Sequence, residues 1–246
     1  MAMKKYEALV IGASFAAVGY ALGRKNTLIV EKTEMLDTGF YLPMVGFEYE
    51  KYDPATSLGK ELLEIFNGYA LFSGGMQSIN AFEIALCRFS QRHPTDIYLK
   101  CRVIDKKRSD GGYTVTLIHN GGIETVEAAQ ILDCSIPSTG YHTLTVLFYI
   151  KDGADPYAVG EIFSGAVVER AFYDGRYSAR IPVCADDIND AKCYIYEKWQ
   201  ALGGHKIIYI APAFYYTEHS DPVFGRYKNP IEAFERGLLM GEEGSK

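Results

Sequence analysis

The sequence predicts an α/β fold with a central, mostly parallel sheet, a β-meander and a small inserted β-rich region. Its amino-terminal part reads as strand, glycine turn, helix and strand in succession, and such βαβ units belong to parallel sheets. Turns at Asp110-Gly-Gly and Asn120-Gly-Gly separate strand-like runs, which is the pattern of a meander. From Gly140 to about Gly204 further strand-like runs and a tyrosine-rich stretch indicate the inserted region.

The composition is that of an ordinary globular protein. The 246 residues are 48% hydrophobic and 23% charged, so neither disorder nor a collagen-like structure is expected. A net charge of −6 argues against a surface that binds nucleic acid or an anionic membrane. The five cysteines contain no CxxC pair, and the five histidines lack ligand spacing. We therefore expect a cytoplasmic protein without a disulfide framework or a metal site.

The apolar stretch from Ala8 to Gly23 resembles a signal peptide at first sight. Its sixteen residues are too few to cross a bilayer as a helix. The stretch follows the acid Glu7, is interrupted by Gly12 and Gly19, and leads directly into another apolar run. None of these features is typical of a cleaved signal peptide. We therefore expect these residues to be part of a soluble fold.

The first elements form the βαβ unit. Residues 6–11 (YEALVI) are apolar without strict alternation, which predicts a strand buried on both faces. Small residues at helical spacing follow, and Asn26 is placed to end the helix. Residues 27–31 (TLIVE) predict a second buried strand that closes with an acid. We expect these strands to be adjacent and parallel, with the helix from about Ser14 between them.

The elements that follow are read from their periodicity and their turn residues. Proline and glycine are frequent over residues 33–80, which predicts loops and short helices. Residues 78–92 have amphipathic helical spacing, and Pro94 ends that helix. Strand-like runs then cover residues 96–104, 113–119, 123–129 and 130–135.

The carboxy-terminal half contains the inserted region and a return to the first sheet. Strands are expected at residues 143–150 and 165–173, and a helix at 187–202. Residues 206–210 (KIIYI) predict another buried strand. An amphipathic helix at 229–240 ends the fold, with Pro230 in its first turn.

The turn after the first strand has the residues of a dinucleotide-binding site. Such a turn needs a glycine where the strand bends, then small residues that let the backbone approach a pyrophosphate at the helix start. In the G-x-G-x-x-G frame the chain has Gly12, Ser14 and Ala17. Glu31 lies nineteen residues after Gly12, close to the ~20 expected for an acid that binds ribose hydroxyls. A tight turn that binds nothing is the alternative.

These residues resemble a known family. The succession of strand, glycine turn, helix and strand ending in Glu31-Lys32 resembles the amino terminus of FAD-dependent oxidoreductases with a glutathione-reductase-like FAD-binding fold. Residues 96–129 resemble that family's adenine-side strand and meander, and residues 130–138 (QILDCSIPS) resemble its strand ending Asp-Ala-Thr-Gly. The segment 206–241 resembles the family's strand and helix start beside the flavin. The resemblance covers about half of the chain.

The resemblance implies a Rossmann-like FAD-binding domain over residues 1–139 and 205–246, with residues 140–204 as a small substrate or cap region. It also implies FAD as the cofactor, a small-molecule substrate, and Arg102 and Val103 beside the adenine. The residues that it places at the cofactor are Gly12, Ser14, Phe15, Ala16, Glu31, Lys32, Arg102, Val103, Cys134, Ser135, Asn229 and Pro230. No catalytic residue is assigned.

The sequence departs from the family at the cofactor positions. Ser14 replaces a glycine, Cys134-Ser135 replaces Ala-Thr, and no Gly-Asp follows residues 206–210. A flavin-dependent oxidoreductase is the leading function, and a non-catalytic FAD-binding or partner subunit with the same fold is the alternative. A protein that binds only NAD would have a plain six-stranded sheet without the meander. The sequence leaves a homo-oligomer and a protein partner open.

Overall fold

A computed structural model of the protein describes residues 3–36, 52–69, 72–73, 76–77, 82–135, 141–151, 153–171, 175–185, 187–212, 220–221, 223–226 and 229–244. The strands in chain order are β1 (Lys4–Ile11), β2 (Thr27–Val30), β3 (Phe72–Ser73), β4 (Met76–Gln77), β5 (Asp96–Tyr98), β6 (Arg102–Ser109), β7 (Gly112–His119), β8 (Gly122–Asp133), β9 (Tyr141–Ile150), β10 (Val167–Arg170), β11 (Arg176–Ala185), β12 (His205–Pro212), β13 (Ser220–Asp221) and β14 (Gly225–Arg226). The helices are α1 (Phe15–Gly23), α2 (Ser57–Gly68), α3 (Phe82–Arg92), α4 (Val159–Ile162), α5 (Ile188–Trp199) and α6 (Pro230–Glu243), with a 3₁₀ turn at Pro156–Ala158.

The first sheet has six strands in the order β5-β2-β1-β8-β7-β6. The first four are parallel, and Ile11 at the end of β1 is paired with Val30 on one side and Asp133 on the other. The predicted βαβ unit is confirmed, because β1 and β2 are adjacent and parallel with α1 between them. The meander is present as well, since β6, β7 and β8 are antiparallel neighbours.

Two strand boundaries differ from the sequence-based expectation. The runs at 123–129 and 130–135 form the single strand β8, which pairs with β7 through its first half and with β1 through its second. The run at 96–104 is instead divided into β5 and β6, and Lys100 between them has a φ of 50°. A left-handed residue ends an extended strand. The β6 part can therefore leave the parallel sheet and join the meander.

The parallel strands lie between two different layers. On one side they pack against α1, α2, α3 and α6, with Val10, Phe15, Phe66, Phe89 and Phe234 all buried in one cluster. On the other side Leu9, Leu28 and Val30 pack under the meander residues Val115 and Leu117. Strands covered on both faces need apolar residues at successive positions. This explains the apolar run Leu28, Ile29 and Val30 in β2.

Helices α1 and α6 run parallel and touch through their backbones. A Cβ atom at Gly237 would overlap the carbonyl of Ala16, and one at Gly19 would overlap the carbonyl of Phe234. Gly23 and Gly241 make the same kind of approach one turn further along. Only glycine permits this separation of the two helix axes.

The second sheet is antiparallel, with the order β10-β11-β9-β12. Helix α5 and the short α4 cover one of its faces, where Phe148, Ile181, Ile195 and Trp199 are buried together. Strand β11 was not predicted from the sequence. The strand expected at 206–210 was placed wrongly, because β12 pairs with β9 in this sheet and does not join the parallel strands. Its residues 207–209 are half-buried or exposed, as at a sheet edge.

Helix α2 lies in a segment for which the sequence predicted only loops and short helices. Its start is organised by the buried Glu235 of α6, whose carboxylate accepts hydrogen bonds from Tyr52 Oη (2.8 Å) and from the Ala55 and Thr56 amides (3.0 and 2.5 Å). The Thr56 hydroxyl also donates to Glu235. A carboxylate at a helix start is favoured by the helix dipole. Glu235 thereby holds α2 against α6.

The expected helix at 78–92 is present as α3 from residue 82, and residues 78–81 lie outside the described part. Within the described residues, no helix is both long enough and apolar enough to cross a membrane.

The close approach of α1 and α6 predicts an effect of one added methyl group. Gly237→Ala should lower the free energy of unfolding by about 1–3 kcal/mol, because its Cβ overlaps the Ala16 carbonyl. Gly68→Ala is the matched control, since a Cβ at Gly68 contacts nothing within 4 Å. That change should leave stability equal or slightly higher. Urea unfolding measures both, and equal midpoints for the two variants would contradict the backbone contact.

The Glu235 hydrogen bonds predict a pH-dependent contribution to stability. Burial raises the pKa of this carboxyl, but the bonds from Thr56, Ala55 and Tyr52 outweigh burial and hold it below its ordinary value of 4.5. The contribution is therefore complete above pH 4.5 and is lost as the pH falls through the folded-state pKa. Glu235→Gln should cost about 2–3 kcal/mol at neutral pH, and its difference from wild type should shrink in acid.

Urea unfolding of both proteins from neutral pH to about pH 3 measures this difference. Glu242→Gln, at an exposed position of the same helix, is the control and should change little. A difference between wild type and Glu235→Gln that grows in acid would show that the ionised carboxylate does not stabilise the fold.

Candidate functional site

The candidate site lies where the parallel strands end. The residues directly after β1, β2 and β8 are Gly12, Glu31 and Cys134, and they share one edge of the sheet because the three strands are in register and parallel. Ligands of open α/β sheets bind outside this carboxyl edge. The structure therefore brings together residues that the sequence separates by more than a hundred positions.

Gly12 forms the bend between β1 and α1. Its φ is 99°, a conformation that favours glycine. Its amide donates to the Val30 carbonyl at 2.8 Å, and a Cβ would stand 3.0 Å from the Cys134 carbonyl. The turn is thus enclosed by the ends of both neighbouring strands. A side chain at this position would disturb both contacts.

Ser14 is the N-cap of α1. Its Oγ accepts a hydrogen bond from the Ala17 amide at 3.1 Å, so the hydroxyl proton is left to donate to a ligand oxygen. Within the described part of the chain, the Ser14 and Ala16 amides donate to no acceptor, and the first turn of α1 contains no acidic residue. Amides at a helix start form an anion-binding site. The serine is therefore compatible with a bound phosphate.

The Phe15 and Ala16 side chains belong to the core and do not face a ligand. Both are fully buried, and the Phe15 ring packs edge-on against Phe66 at 5.9 Å. The sequence assigned both residues to the cofactor. Phe15 and Ala16 can contribute only their backbone to a site at the turn.

Glu31 is fixed by two backbone amides. It is 6% exposed, its Oε2 accepts from the Ala13 amide at 2.9 Å, and its Oε1 accepts from the Thr33 amide at 2.8 Å. A carboxylate has about four lone-pair sites. Glu31 can therefore still accept hydrogen bonds from the two hydroxyls of a ribose. No sequence pattern marks Ala13 and Thr33, because any non-proline residue can supply the amide.

Lys32, Arg102 and Val103 lie beside Glu31. The Cys101 amide donates to the Glu31 carbonyl at 2.8 Å, which places the first residues of β6 next to the end of β2. Lys32 and Arg102 are exposed, whereas Val103 packs against the cluster under the meander. Two cations at the rim of this edge favour an anionic ligand.

Ser135 has a different hydrogen-bonding state from Ser14. The Asp133 Oδ1 accepts from the Ser135 amide at 3.2 Å and from its hydroxyl at 2.5 Å, and Lys106 Nζ lies 3.3 Å from Oδ2. Burial raises the pKa of Asp133, but the bonds from Ser135 and Lys106 hold it below its ordinary value. Since both donors of Ser135 are engaged, its hydroxyl can only accept from a ligand. It therefore suits a sugar or ribityl hydroxyl better than a phosphate.

Cys134 ends the carboxyl edge, and α6 runs alongside α1. Cys134 is buried, and its amide donates to the Ile11 carbonyl at 2.8 Å. Asn229 caps α6 by accepting from the Ile231 amide at 2.8 Å, and Pro230 is the first helical residue. Because α1 and α6 run parallel, their amino-terminal ends point in the same direction. Both positive dipole ends therefore point the same way, and because Gly237 lies opposite Ala16, the first turns of α6 extend beyond the start of α1.

Comparisons with known proteins show the fold. No protein-family model matches the sequence, and no curated protein matches it. The chain is similar to OxyS anhydrotetracycline hydroxylase from Streptomyces rimosus, with 14% identity, a TM-score of 0.59, and 97% of this chain and 61% of that chain covered. It is similar to CabE, an aromatic hydroxylase from angucycline biosynthesis, with 12% identity, a TM-score of 0.52, and coverage of 84% and 51%. The p-nitrophenol 4-monooxygenase PnpA from Pseudomonas putida DLL-E4 has 12% identity, a TM-score of 0.50, and coverage of 85% and 67%.

These similarities establish the mixed α/β architecture, with its mostly parallel sheet and its separate antiparallel sheet. The chain spans 61% of the length of OxyS and 51% of the length of CabE.

The Glu31 carboxylate predicts a preference for a complete ribose. Wild type should bind ADP more tightly than 2′-deoxy-ADP, because the deoxy sugar lacks a hydroxyl for Glu31. Glu31→Ala should weaken ADP binding by ~1.5–3 kcal/mol and remove most of the difference between the two nucleotides. Isothermal titration calorimetry measures both affinities.

Glu34→Ala is the control for the loss of one acid, because Glu34 is exposed and pairs with Lys100 at 2.7 Å. It should leave the preference unchanged. A Glu31→Ala variant that still distinguishes ADP from 2′-deoxy-ADP as wild type does would place the ribose elsewhere.

Proposed function

We propose that this chain is an FAD-dependent oxidoreductase that acts on a small molecule, with the FAD dinucleotide bound at the carboxyl edge of the first sheet. The observation that carries the proposal is the turn formed by Gly12, the Ser14 cap and the amide-bound Glu31. It combines an anion site at a helix start with a fixed ribose acceptor.

The meander favours FAD over NAD alone. Strands β6 and β7 cover one face of the parallel sheet, where a plain six-stranded dinucleotide fold would have helices on both faces. The resemblance of residues 96–129 to the adenine-side strand and meander of FAD-dependent oxidoreductases supports the same choice. The solved structures with this fold include hydroxylases and a monooxygenase, which supports oxidation of a small molecule. Within the FAD-dependent oxidoreductases, we propose the glutathione-reductase-like type of FAD-binding fold, and this proposal is based on the sequence resemblance alone.

Each residue at the edge would have a distinct task. The amides of Ser14 and Ala16 and the Ser14 hydroxyl would donate to the pyrophosphate, helped by the amino-terminal end of α6. Glu31 would accept from the adenosine ribose, and the backbone at Arg102 and Val103 would flank the adenine. Ser135 would accept from a ribityl hydroxyl. The flavin ring would supply the redox chemistry, so the chain's own task is to bind and orient it.

The two sheets, each with its own helices, would have different roles. The first sheet, with α1 to α3 and α6, would bind the nucleotide, and the second sheet would hold the substrate. Strand β12 belongs with the second unit because of its pairing with β9. The cytoplasm is the proposed location.

A non-catalytic protein with the same fold is the second candidate. Ser14 adds a Cβ where a glycine would let the pyrophosphate approach the backbone, and both donors of Ser135 are already engaged by Asp133, so Ser135 offers no hydrogen bond to a phosphate. Such a protein would bind FAD weakly or bind only the adenine nucleotide. Flavin absorbance of the purified chain distinguishes it from an oxidoreductase.

Substitutions of Ser14 test the position of the pyrophosphate. Ser14→Gly should bind FAD as well as wild type or slightly better, because it removes a Cβ near the phosphate and glycine is an acceptable N-cap. Ser14→Leu should abolish binding, because it adds bulk and loses the hydroxyl. Quenching of flavin fluorescence on titration measures the affinity, with circular dichroism as a check of folding. A folded Ser14→Leu variant that binds FAD like wild type would remove this turn from the cofactor site, and a wild type that ignores FAD would favour the non-catalytic candidate.

A further inference from the structure

A lysine in the left-handed backbone conformation lies beside the carboxyl end of β2. Among the residues that the structure describes, Asn26 and Lys100 are the two non-glycine residues with a positive φ, 55° and 50°. Asparagine visits this conformation readily, whereas lysine does so rarely. Such a residue persists only where the surrounding structure holds it, and residues of this kind cluster at binding sites. The contacts that hold Lys100 therefore bear on the candidate site.

The turn between β5 and β6 is hydrogen-bonded to the segment that begins with Glu31. The Lys100 amide donates to the Thr33 carbonyl at 2.7 Å, and the Cys101 amide donates to the Glu31 carbonyl at 2.8 Å. Before the turn, the Tyr98 carbonyl accepts from the Glu31 amide at 2.9 Å. Three backbone hydrogen bonds thus tie this turn to the segment that follows β2.

The left-handed conformation lets two successive amides bind the same segment. In an extended strand successive N–H groups point to opposite sides, whereas a turn with a left-handed residue directs them to the same side. Lys100 and Cys101 are successive, and both of their amides donate to the segment after β2. An extended residue at position 100 would therefore lose at least one of these two bonds.

The same segment fixes the Glu31 carboxylate. Its Oε1 accepts from the Thr33 amide at 2.8 Å, and its Oε2 accepts from the Ala13 amide at 2.9 Å. Thr33 is thus bonded twice, through its amide to the carboxylate and through its carbonyl to Lys100. If the turn moved, the Thr33 amide would move with it, and the carboxylate would lose one of the two donors that set its direction.

The residues on either side of Lys100 are held in place. Lys4 Nζ donates to the Tyr98 hydroxyl at 2.6 Å, and the Tyr98 ring centre lies 5.4 Å from that of His119 in the meander. Cys101, after the turn, is 1% exposed. Firm surroundings of this kind are the condition under which a left-handed lysine can persist.

The lysine side chain contributes little to this arrangement. Lys100 Nζ lies 2.7 Å from Glu34 Oε2, but the two side chains are 50% and 66% exposed, and exposed ion pairs add little stability. Glycine adopts a positive φ freely, so it could replace Lys100 and keep the turn. A β-branched residue could not, because its side chain clashes with the backbone in this conformation.

From this arrangement we infer that Lys100 is a positioning residue for the ribose of the bound nucleotide. Its left-handed backbone holds the Thr33 amide, and through that amide the Glu31 carboxylate, in the direction that selects a complete ribose. The inference rests on the proposed function for the nucleotide, but the hold on Glu31 exists without any ligand. Lys100 acts through its backbone, and no contact with the nucleotide is assigned to it.

The first test compares substitutions at this one position by their effect on ribose selection. ADP and 2′-deoxy-ADP are titrated by calorimetry into the full chain, and wild type should prefer ADP about tenfold. Lys100→Gly and Lys100→Asn should keep this preference, whereas Lys100→Val should reduce it to about twofold or less. Lys107→Val makes the same change at an exposed position within β6. It is the matched control and should keep the preference, because valine suits a strand.

The second test needs no nucleotide. Hydrogen exchange of the Ala13 and Thr33 amides, followed by NMR, reports the two bonds to Glu31. Exchange of both amides should be about tenfold faster in Lys100→Val and unchanged in Lys100→Gly and Lys100→Asn. Amides of α5, which packs against the second sheet, are the internal control. Their exchange should not change, because the loss at position 100 is local.

The inference is overturned if folded Lys100→Val keeps either the ADP preference or the slow exchange of wild type. It is also overturned if Lys100→Gly and Lys100→Asn lose the preference as Lys100→Val does, since the lysine side chain would then be responsible. Circular dichroism and fluorescence of the only tryptophan, Trp199, check the fold, and the smaller β-branched variant Lys100→Thr replaces Lys100→Val if that protein does not fold. If wild type does not bind ADP, the proposed function fails, and the exchange rates alone still decide whether the turn holds Glu31.

Discussion

Helices α1 and α6 touch through their backbones, and the first unit is arranged around this contact. Gly19 and Gly23 on one helix and Gly237 and Gly241 on the other leave no room for a Cβ. The contact joins the beginning of the chain to its end and sets the two helices parallel. As a result, the amino-terminal ends of both helices point in the same direction, and that of α1 lies at the carboxyl edge of β1, β2 and β8. α6 also carries Glu235, which holds α2 in place. One close approach thus fixes three helices relative to each other.

The site itself depends on backbone amides more than on distinctive side chains. Glu31 is held by two amides, and the turn offers further amides at Ser14 and Ala16. Ser14 and Ser135 show how the same residue type acquires different roles. Ser14 accepts from Ala17 and keeps its proton for a ligand, whereas Ser135 donates to Asp133 and can only accept. In the proposed site, this difference favours the phosphate at the helix start and the sugar hydroxyls at the end of β8.

The sequence predicted the parts of the fold that local patterns determine. The βαβ unit, the meander, α5 and α6 have a clear periodicity or turn residues, and each was found near its predicted position. Strand β12 was placed wrongly because a short apolar run does not specify its partner strand. For the segment of α2 the sequence predicted only loops and short helices, because the start of this helix depends on Glu235, about 180 residues away in the chain. At the site, Gly12 and Glu31 could be found from spacing, but the roles of Asp133 and of the Ala13 and Thr33 amides require the folded chain.

The most direct test of the central claim is an amide NMR spectrum of the ¹⁵N-labelled chain during a titration with FAD. The resonances of Gly12, Ser14, Ala16 and Thr33 should shift together with one dissociation constant, because these amides would surround the bound dinucleotide. Resonances of α5, which packs against the second sheet, should stay in place. If FAD shifts other resonances while those of the turn remain unchanged, the dinucleotide does not bind at the end of β1 and the central claim is wrong.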